Sequence, residues 1–139
     1  MPAEIGKLRN RVSDSEKLTI NLGYVDLGQI DLLVREGFYS NRSDFIRTAI
    51  RNQLSAHGDA VKKSIVRETF ELGIRHFSRH DLEQVKAAGE RLRIKVLGLA
   101  TIADDVPPAL ALATIESITV LGALHASDGL KTALAERIR

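Results

Sequence analysis

One short stretch of alternating polarity, residues 17–22, constrains the fold more than any other feature of the chain. It reads Lys17-Leu-Thr-Ile-Asn-Leu22, which predicts a strand with one polar and one apolar face. A lone strand cannot pair its own backbone groups, and together with the two helices that follow it is too small to bury both helices. The simplest partner is the same segment of a second copy, in an antiparallel two-fold ribbon. Dimerisation is therefore predicted as a requirement for folding.

Two helices are predicted after this strand. Gly23 ends the strand, and the first helix runs to Gly37, a residue that suits a helix C-terminus. The second helix follows the turn at residues 37–41 and ends at His57 and Gly58. Their apolar positions recur at helical spacing: Leu27, Ile30, Leu33 and Val34 in the first helix, and Phe45, Ile46, Ala49 and Ile50 in the second.

Three segments of this region carry a resemblance to a known family. They are Lys17-Leu-Thr-Ile-Asn-Leu22, Ile30-Asp-Leu-Leu33 and Phe38-Tyr-Ser-Asn-Arg-Ser-Asp-Phe-Ile-Arg47. Residues 16–56 resemble the Arc/MetJ/CopG family of ribbon-helix-helix DNA-binding proteins. The resemblance implies a homodimer, formed through residues 17–22 and the two helices, that binds double-stranded DNA as a sequence-specific transcriptional regulator, in particular a repressor.

The resemblance also implies which residues read the DNA bases. In the family the paired strands enter the major groove, where base pairs are distinguishable by their donors and acceptors. If the apolar residues of the strand face the core, then Lys17, Thr19 and Asn21 face the DNA. Lysine can donate to guanine, asparagine can pair with adenine, and threonine can contact thymine. The alternative is an ordinary solvated strand face.

The start of the second helix resembles the family's phosphate clamp, in which free backbone amides point at a DNA phosphate. Asn41, Arg42 and Ser43 lie there. Either Ser40 or Asn41 suits the N-cap, and Asp44 suits the first turn. The alternative is helix capping alone, which would explain these residues structurally.

Two further groups of basic residues are candidates for contact with the DNA backbone. Residues 1–15 mix charge with Ser, Asn, Pro and Gly, which predicts a flexible basic arm. The candidates are Lys7, Arg9 and Arg11 in that arm and Arg47 and Arg51 on the second helix. Simple solvation of the arm, or salt bridges on the helix surface, are the alternatives.

The C-terminal half contains an internal repeat. Residues 94–111 and 118–135 align without a gap at an offset of 24, and eight of the eighteen positions are identical. Each copy predicts a strand, an Asp-containing turn and a helix, and residues 69–91 predict a weaker first copy. We therefore expect an α+β fold in which a βα-repeat domain with parallel strands, similar to leucine-rich repeats, covers residues 67–139. Gly98 and Gly122 recur at the same repeat position, which indicates tight packing rather than a phosphate loop.

The sequence alone does not decide the structure of the junction between the two halves or the role of the C-terminal half. Residues 57–66 are either a linker or a helical continuation through Val61 and Ile65. Open strand edges favour pairing with another copy, so oligomerisation is the expected role, with sensing as the alternative.

Composition excludes several classes of function. A net charge of +2 supports DNA binding only weakly, and the absence of cysteine excludes disulfides and thiolate chemistry. No apolar run has the length of a membrane span and the first twenty residues lack a secretory signal, so a cytoplasmic protein with no membrane partner is expected. No catalytic motif is present, and neither enzyme activity nor a cofactor is predicted.

Two other regulators are alternatives. An antitoxin of a toxin–antitoxin pair often carries the same DNA-binding module, although its tail is usually short. A metal-responsive repressor resembling NikR would need clustered ligands, whereas the histidines are scattered and no metal site is predicted. They are His57, His76, His80 and His125.

Overall fold

The computed structural model describes residues 15–139. These residues divide into two compact units, Ser15–Ser64 and Ile65–Arg139. The first contains α1 (Tyr24–Arg35), α2 (Arg42–Ala56) and the beginning of α3 (Gly58–Glu68). The second contains β1 (Glu71–Phe77), α4 (Arg79–Ala87), β2 (Leu92–Ile102), α5 (Pro108–Thr114), β3 (Ile115–His125), α6 (Asp128–Ala133) and a final 3₁₀ helix (Ala135–Arg137). Among the helices of this part of the chain, none combines the length and the apolar character that crossing a membrane requires.

The end of α1 follows the glycine signal in the sequence. Gly37 has φ +85°, a left-handed conformation that glycine adopts without steric cost. Its N–H donates to the Val34 carbonyl at 3.1 Å, and the Phe38 N–H donates to the Leu33 carbonyl at 3.0 Å. This pair of bonds is the Schellman motif, which satisfies carbonyl groups at the end of a helix. The predicted helix stop at Gly37 is confirmed.

The junction between α2 and α3 is short. His57 caps α2, and its carbonyl accepts a hydrogen bond of 3.0 Å from the Val61 N–H of the next helix. Of the two alternatives for residues 57–66, the structure has the helical one from Gly58 onward.

Residues 16–23 form neither helix nor strand in the single chain. The predicted ribbon needs backbone partners from a second copy, so its pairing stays a prediction.

The second unit is a three-stranded parallel sheet in the order β1-β2-β3. Each strand is followed by a helix, as the repeat predicts. In the pairing of β2 with β3, Ile94 lies opposite Ile118 and Val96 lies opposite Val120, which is the offset of the repeat. The predicted α+β class and parallel strands are confirmed, whereas the similarity to leucine-rich repeats stays a prediction.

Three glycines lie side by side across this sheet. Gly73 pairs with Gly98, and Gly98 pairs with Gly122. Their φ angles are +128°, +139° and +120°, values that other residues rarely adopt. A methyl group on Gly98 would overlap the carbonyl oxygen of Gly73, and one on Gly122 would overlap that of Gly98. Only glycine lets the strands approach closely here.

The hydrophobic core lies on one face of the sheet. Leu82, Leu110 and Leu130, one from each of α4, α5 and α6, are buried against alternate residues of the strands. The strand residues of the core are Phe77 of β1, Ile94, Val96, Ala100 and Ile102 of β2, and Ile115 and Ile118 of β3. Burial of each such leucine contributes about 1.5 to 3 kcal/mol.

Candidate nucleic-acid interface

Two residues of the segment 17–22 line a largely apolar groove. Ile20 and Leu22 line a cavity of about 620 Å³ together with Ile30 and Leu33 of α1 and Phe45, Ile46, Ala49 and Ile50 of α2. Ile20 and Leu22 thus border the helices, whereas Leu18 is 80% exposed and does not line the cavity. All six residues of the segment 17–22 are exposed to solvent in the single chain, so the assignment of inward and outward faces from alternation stays a prediction.

Asn41 is the N-cap of α2. Its Oδ1 accepts a hydrogen bond of 2.8 Å from the Asp44 N–H, and the Asp44 carboxylate accepts one of 2.9 Å from the Ser40 N–H. Of the two candidates for the cap, the structure therefore has Asn41 rather than Ser40. The cap uses the oxygen of the amide, which leaves the Asn41 Nδ2 group as a donor.

Arg42 is held by an ion pair that the sequence analysis missed. Its Nε and Nη2 atoms donate to the two carboxylate oxygens of Asp31, each at 2.8 Å. The bond from Arg42 lowers the pKa of Asp31 and, reciprocally, raises the pKa of Arg42. Both side chains are about half exposed, so the pair joins α1 to α2 at the surface.

The start of α2 has the physical features of an anion site. Helix geometry leaves the amides of Arg42 and Ser43 without a carbonyl partner inside the helix. The Arg42 guanidinium has five N–H donors, and the bidentate pair with Asp31 occupies two of them. The helix dipole adds partial positive charge at the same end. Amides, dipole and guanidinium together favour a phosphate oxygen.

An aromatic contact fixes the turn before α2. The rings of Tyr39 and Phe45 lie edge to face, with centroids 5.0 Å apart and planes at 85°. Such a contact ties the turn to the first turns of α2. Both residues belong to the segment that resembles the family, but their contact is not predicted from the sequence.

The other residues predicted to contact DNA lie outside this helix start. Arg47 and Arg51 are exposed on α2. Lys7, Arg9 and Arg11 lie outside the described residues. Within residues 15–139, no three His, Cys, Asp or Glu side chains are clustered in a way that could hold a metal ion.

Comparison with known proteins assigns the family. Residues 13–131 match the ribbon-helix-helix transcriptional regulator family. The chain belongs to this family. Because the match continues through α3 and all three strands of the sheet, it covers residues of both units of this ribbon-helix-helix regulator. Its coarse function is transcriptional regulation, and DNA is the partner that this function implies.

A relative gives no further functional information. An uncharacterized protein of Methanocaldococcus jannaschii is 36% identical over 53 residues, which are 38% of this chain and 53% of that protein. The chain thus spans about half the length of this relative. No solved structure matches this ribbon-helix-helix regulator.

Proposed function

We propose that two copies of the chain form a ribbon-helix-helix dimer that represses transcription by binding a specific DNA sequence in the major groove. The observation that carries this proposal is the apolar surface of the Ser15–Ser64 unit. Ile30 is 6% exposed, whereas Leu18 is 80% and Ile20 is 60% exposed. Neither α2 nor α3 has a buried residue.

A second copy is the occupant that this surface fits. Marginal stability of a small domain depends on buried apolar area, and the groove between α1 and α2 lacks a cover in the single chain. A partner segment 17–22 would pair its backbone with that of the first copy and bring its own Leu18, Ile20 and Leu22 to the groove. A single ribbon then pairs the backbone groups of both segments and covers the apolar groove of each copy.

The outer face of the ribbon supplies base contacts. With Ile20 and Leu22 at the groove, alternation places Lys17, Thr19 and Asn21 on the opposite face. These side chains offer an ammonium, a hydroxyl and an amide, which are the groups that distinguish bases in the major groove.

The start of α2 anchors the complex to the DNA backbone. We assign phosphate contact to Asn41 Nδ2, to the Arg42 guanidinium and to the amide or hydroxyl of Ser43. A DNA phosphate competes with the Asp31 carboxylate for the Arg42 guanidinium, so the ion pair lowers the affinity of Arg42 for the phosphate. Arg47 and the arm residues Lys7, Arg9 and Arg11 add backbone contacts.

The sheet unit is proposed to join dimers into higher oligomers. β1 is an edge strand and has a neighbour on one side, β2. The apolar side chains Leu72 and Ile74 of β1 are exposed. An open edge with apolar side chains favours pairing with the same edge of another copy. Ile74→Lys should therefore leave a dimer where the original chain forms a tetramer, as measured by analytical ultracentrifugation.

Equilibrium DNA binding tests the main proposal. The full chain is titrated with duplexes from the DNA upstream of its own gene and with a random duplex of equal length, at several salt concentrations. We expect affinity for one upstream site about a thousandfold or more above that for random DNA, with two chains bound for each site. Equal affinity for all duplexes, or a folded monomer that binds DNA, would contradict the proposal.

A further inference from the structure

The strongest unassigned feature is a cavity at the carboxyl ends of the parallel strands, here called the carboxyl-edge pocket. It has a volume of about 610 Å³ and is lined by His76, Thr101, Asp104, His125 and Lys131, with Ile102, Ala103 and Ala126 as its apolar part. Ligands of parallel α/β sheets bind outside the carboxyl ends of the strands, where loops converge. This volume lies in the range of small-molecule sites.

The repeat places three polar side chains in one row across this pocket. His76 of β1 pairs with Thr101 of β2, and Thr101 pairs with His125 of β3. The three residues alternate with core residues of their strands, so they share the face that the helices leave open. Neighbouring strands lie about 4.8 Å apart, which puts the backbones of the two histidines about 10 Å from each other. All three side chains line the same cavity.

The His76–Thr101 pair always keeps one donor for a ligand. His76 Nδ1 and Thr101 Oγ1 are 2.6 Å apart, within hydrogen-bond distance. If the ring nitrogen donates, the hydroxyl proton is available, and if the hydroxyl donates, the proton on Nε2 is available. In either tautomer the hydrogen bond uses one of the two protons, that of the ring N–H or that of the hydroxyl, and leaves the other. Lys131 supplies an ammonium group and His125 a further ring nitrogen at the same pocket.

We propose that the carboxyl-edge pocket binds a small metabolite through its oxyanion group, a carboxylate or a phosphate, held by Thr101, Lys131 and the two histidines. Converging donors with one cation suit an oxyanion because charge-assisted hydrogen bonds are the strong ones. Asp104, at the same pocket, accepts a hydrogen bond from an amino or hydroxyl group elsewhere on the ligand. The apolar residues contact the ligand's carbon atoms.

Calorimetric titration of the full chain tests the proposal and separates the two kinds of oxyanion. The probes are inorganic phosphate, succinate, L-aspartate and, as a cation without an oxyanion, ethanolamine. We expect saturable binding of one site per chain by phosphate or by the two carboxylates. L-Aspartate should bind at least as tightly as succinate because its amino group can donate to Asp104. Preferential binding of ethanolamine would overturn the proposal.

Matched substitutions locate the site. Thr101→Val removes the hydroxyl and keeps the shape, and Lys131→Met removes the charge; each should weaken binding of the recognised anion by about tenfold or more. Thr119→Val on β3 and Lys86→Met on α4 make the same chemical changes outside the pocket and should leave affinity unchanged. Equal affinity in all four variants would overturn the proposal.

The NMR resonances of the histidine rings in the unsubstituted chain give a test that does not depend on the folding of variants. The ring protons of His76 and His125 should shift and saturate on titration with the recognised anion, while those of His57 and His80 should not. No shift at His76 and His125 with any of the three anions up to about 10 mM, a concentration that would detect even millimolar affinity, would also overturn the proposal.

Discussion

The carboxylate of Asp31 and the guanidinium of Arg42 face each other through two hydrogen bonds of 2.8 Å. Asp31 lies on α1 and Arg42 is the first residue of α2, so the residue to which we assign a DNA phosphate also joins the two helices. Under this proposal, DNA binding and the contact between the helices share a side chain. Substitutions of Asp31 and of Arg42 are therefore expected to change the affinity for DNA in opposite directions.

Asp31→Asn should strengthen DNA binding, and Arg42→Ala should weaken it, for specific and random duplexes alike. Removing the carboxylate frees Arg42 and removes a negative charge that repels phosphate. The slope of log affinity against log salt should become steeper in Asp31→Asn and flatter in Arg42→Ala, and the two changes together should amount to about 0.9, the contribution of one phosphate contact. Fluorescence anisotropy at several salt concentrations measures both slopes. Asp59→Asn, the same charge change on α3, is the control, and an unchanged slope in Arg42→Ala would refute the phosphate contact.

Neighbouring residues of the segment 17–22 should have separable effects. Ile20→Asp puts a carboxylate at the apolar groove and should abolish dimerisation. Thr19→Asp puts it on the DNA-facing side and should preserve the dimer while reducing DNA affinity by about tenfold or more through repulsion by phosphate. Sedimentation equilibrium and DNA titration of both variants measure the two effects. A monomeric Thr19→Asp, or a dimeric Ile20→Asp, would reverse the assigned faces.

Features of the fold that depend on local chemistry or on repetition were predictable. Gly37 ends α1 because a left-handed residue there is a local requirement. The 24-residue offset predicts that Ile94 pairs with Ile118, since equivalent positions of stacked parallel units lie side by side. Residues 57–66 were ambiguous because His57 and Gly58 suit either a linker or a junction between two helices.

Contacts that depend on how elements cross were not predictable. Asp31 and Arg42 are eleven positions apart on different helices, and their meeting requires the angle between α1 and α2. His76, Thr101 and His125 align only because the first repeat is offset by 25 residues and the second by 24, and the first copy was too degenerate to align by sequence. The proposed ribbon needs a second chain, so the sequence of one chain predicts only which residues of the strand are polar and which are apolar.

Asn21→Ala should reduce the discrimination between specific and random DNA by about 1 to 3 kcal/mol. The amide can pair with adenine in two hydrogen bonds, and alanine leaves that base edge without a partner. Affinity for random DNA should change little, because Asn21 is assigned to bases rather than phosphates. Competition titrations with the two duplexes measure the ratio. Asn52→Ala, near the C-terminal end of α2, is the control, and equal losses on both duplexes would reassign Asn21 to the DNA backbone.

Acid should remove the stabilising contribution of the α4 cap. The Ser78 N–H donates to the Asp81 carboxylate at 2.9 Å, and the Asp81 N–H donates to Ser78 Oγ at 3.1 Å. The bonds to Ser78 lower the pKa of Asp81 from its usual 3.8. A lowered pKa in the folded state means that the contribution is present above pH 3.8 and is lost as the pH falls through the lower folded value.

Asp81→Asn, a neutral analogue of the protonated acid, should therefore be less stable than the original chain at pH 7 and equal to it at the acidic end. Urea unfolding across this pH range measures the difference. Ser78→Ala, which removes the cap hydroxyl, should cost about 1 kcal/mol at neutral pH. A difference between Asp81→Asn and the original chain that does not shrink in acid would contradict the assignment.

The glycine row makes the sheet sensitive to a single methyl group. Gly98→Ala should destabilise the Ile65–Arg139 unit by at least about 3 kcal/mol, because alanine is strained at φ +139° and its methyl group would overlap the Gly73 carbonyl. Gly129→Ala on α6 is the control: it has open space around the added methyl group, and alanine favours helix over glycine by up to about 1 kcal/mol. Urea unfolding followed by circular dichroism compares the two variants. If Gly98→Ala unfolded at the same urea concentration as Gly129→Ala, the close approach of β1 and β2 at this level of the sheet would be wrong.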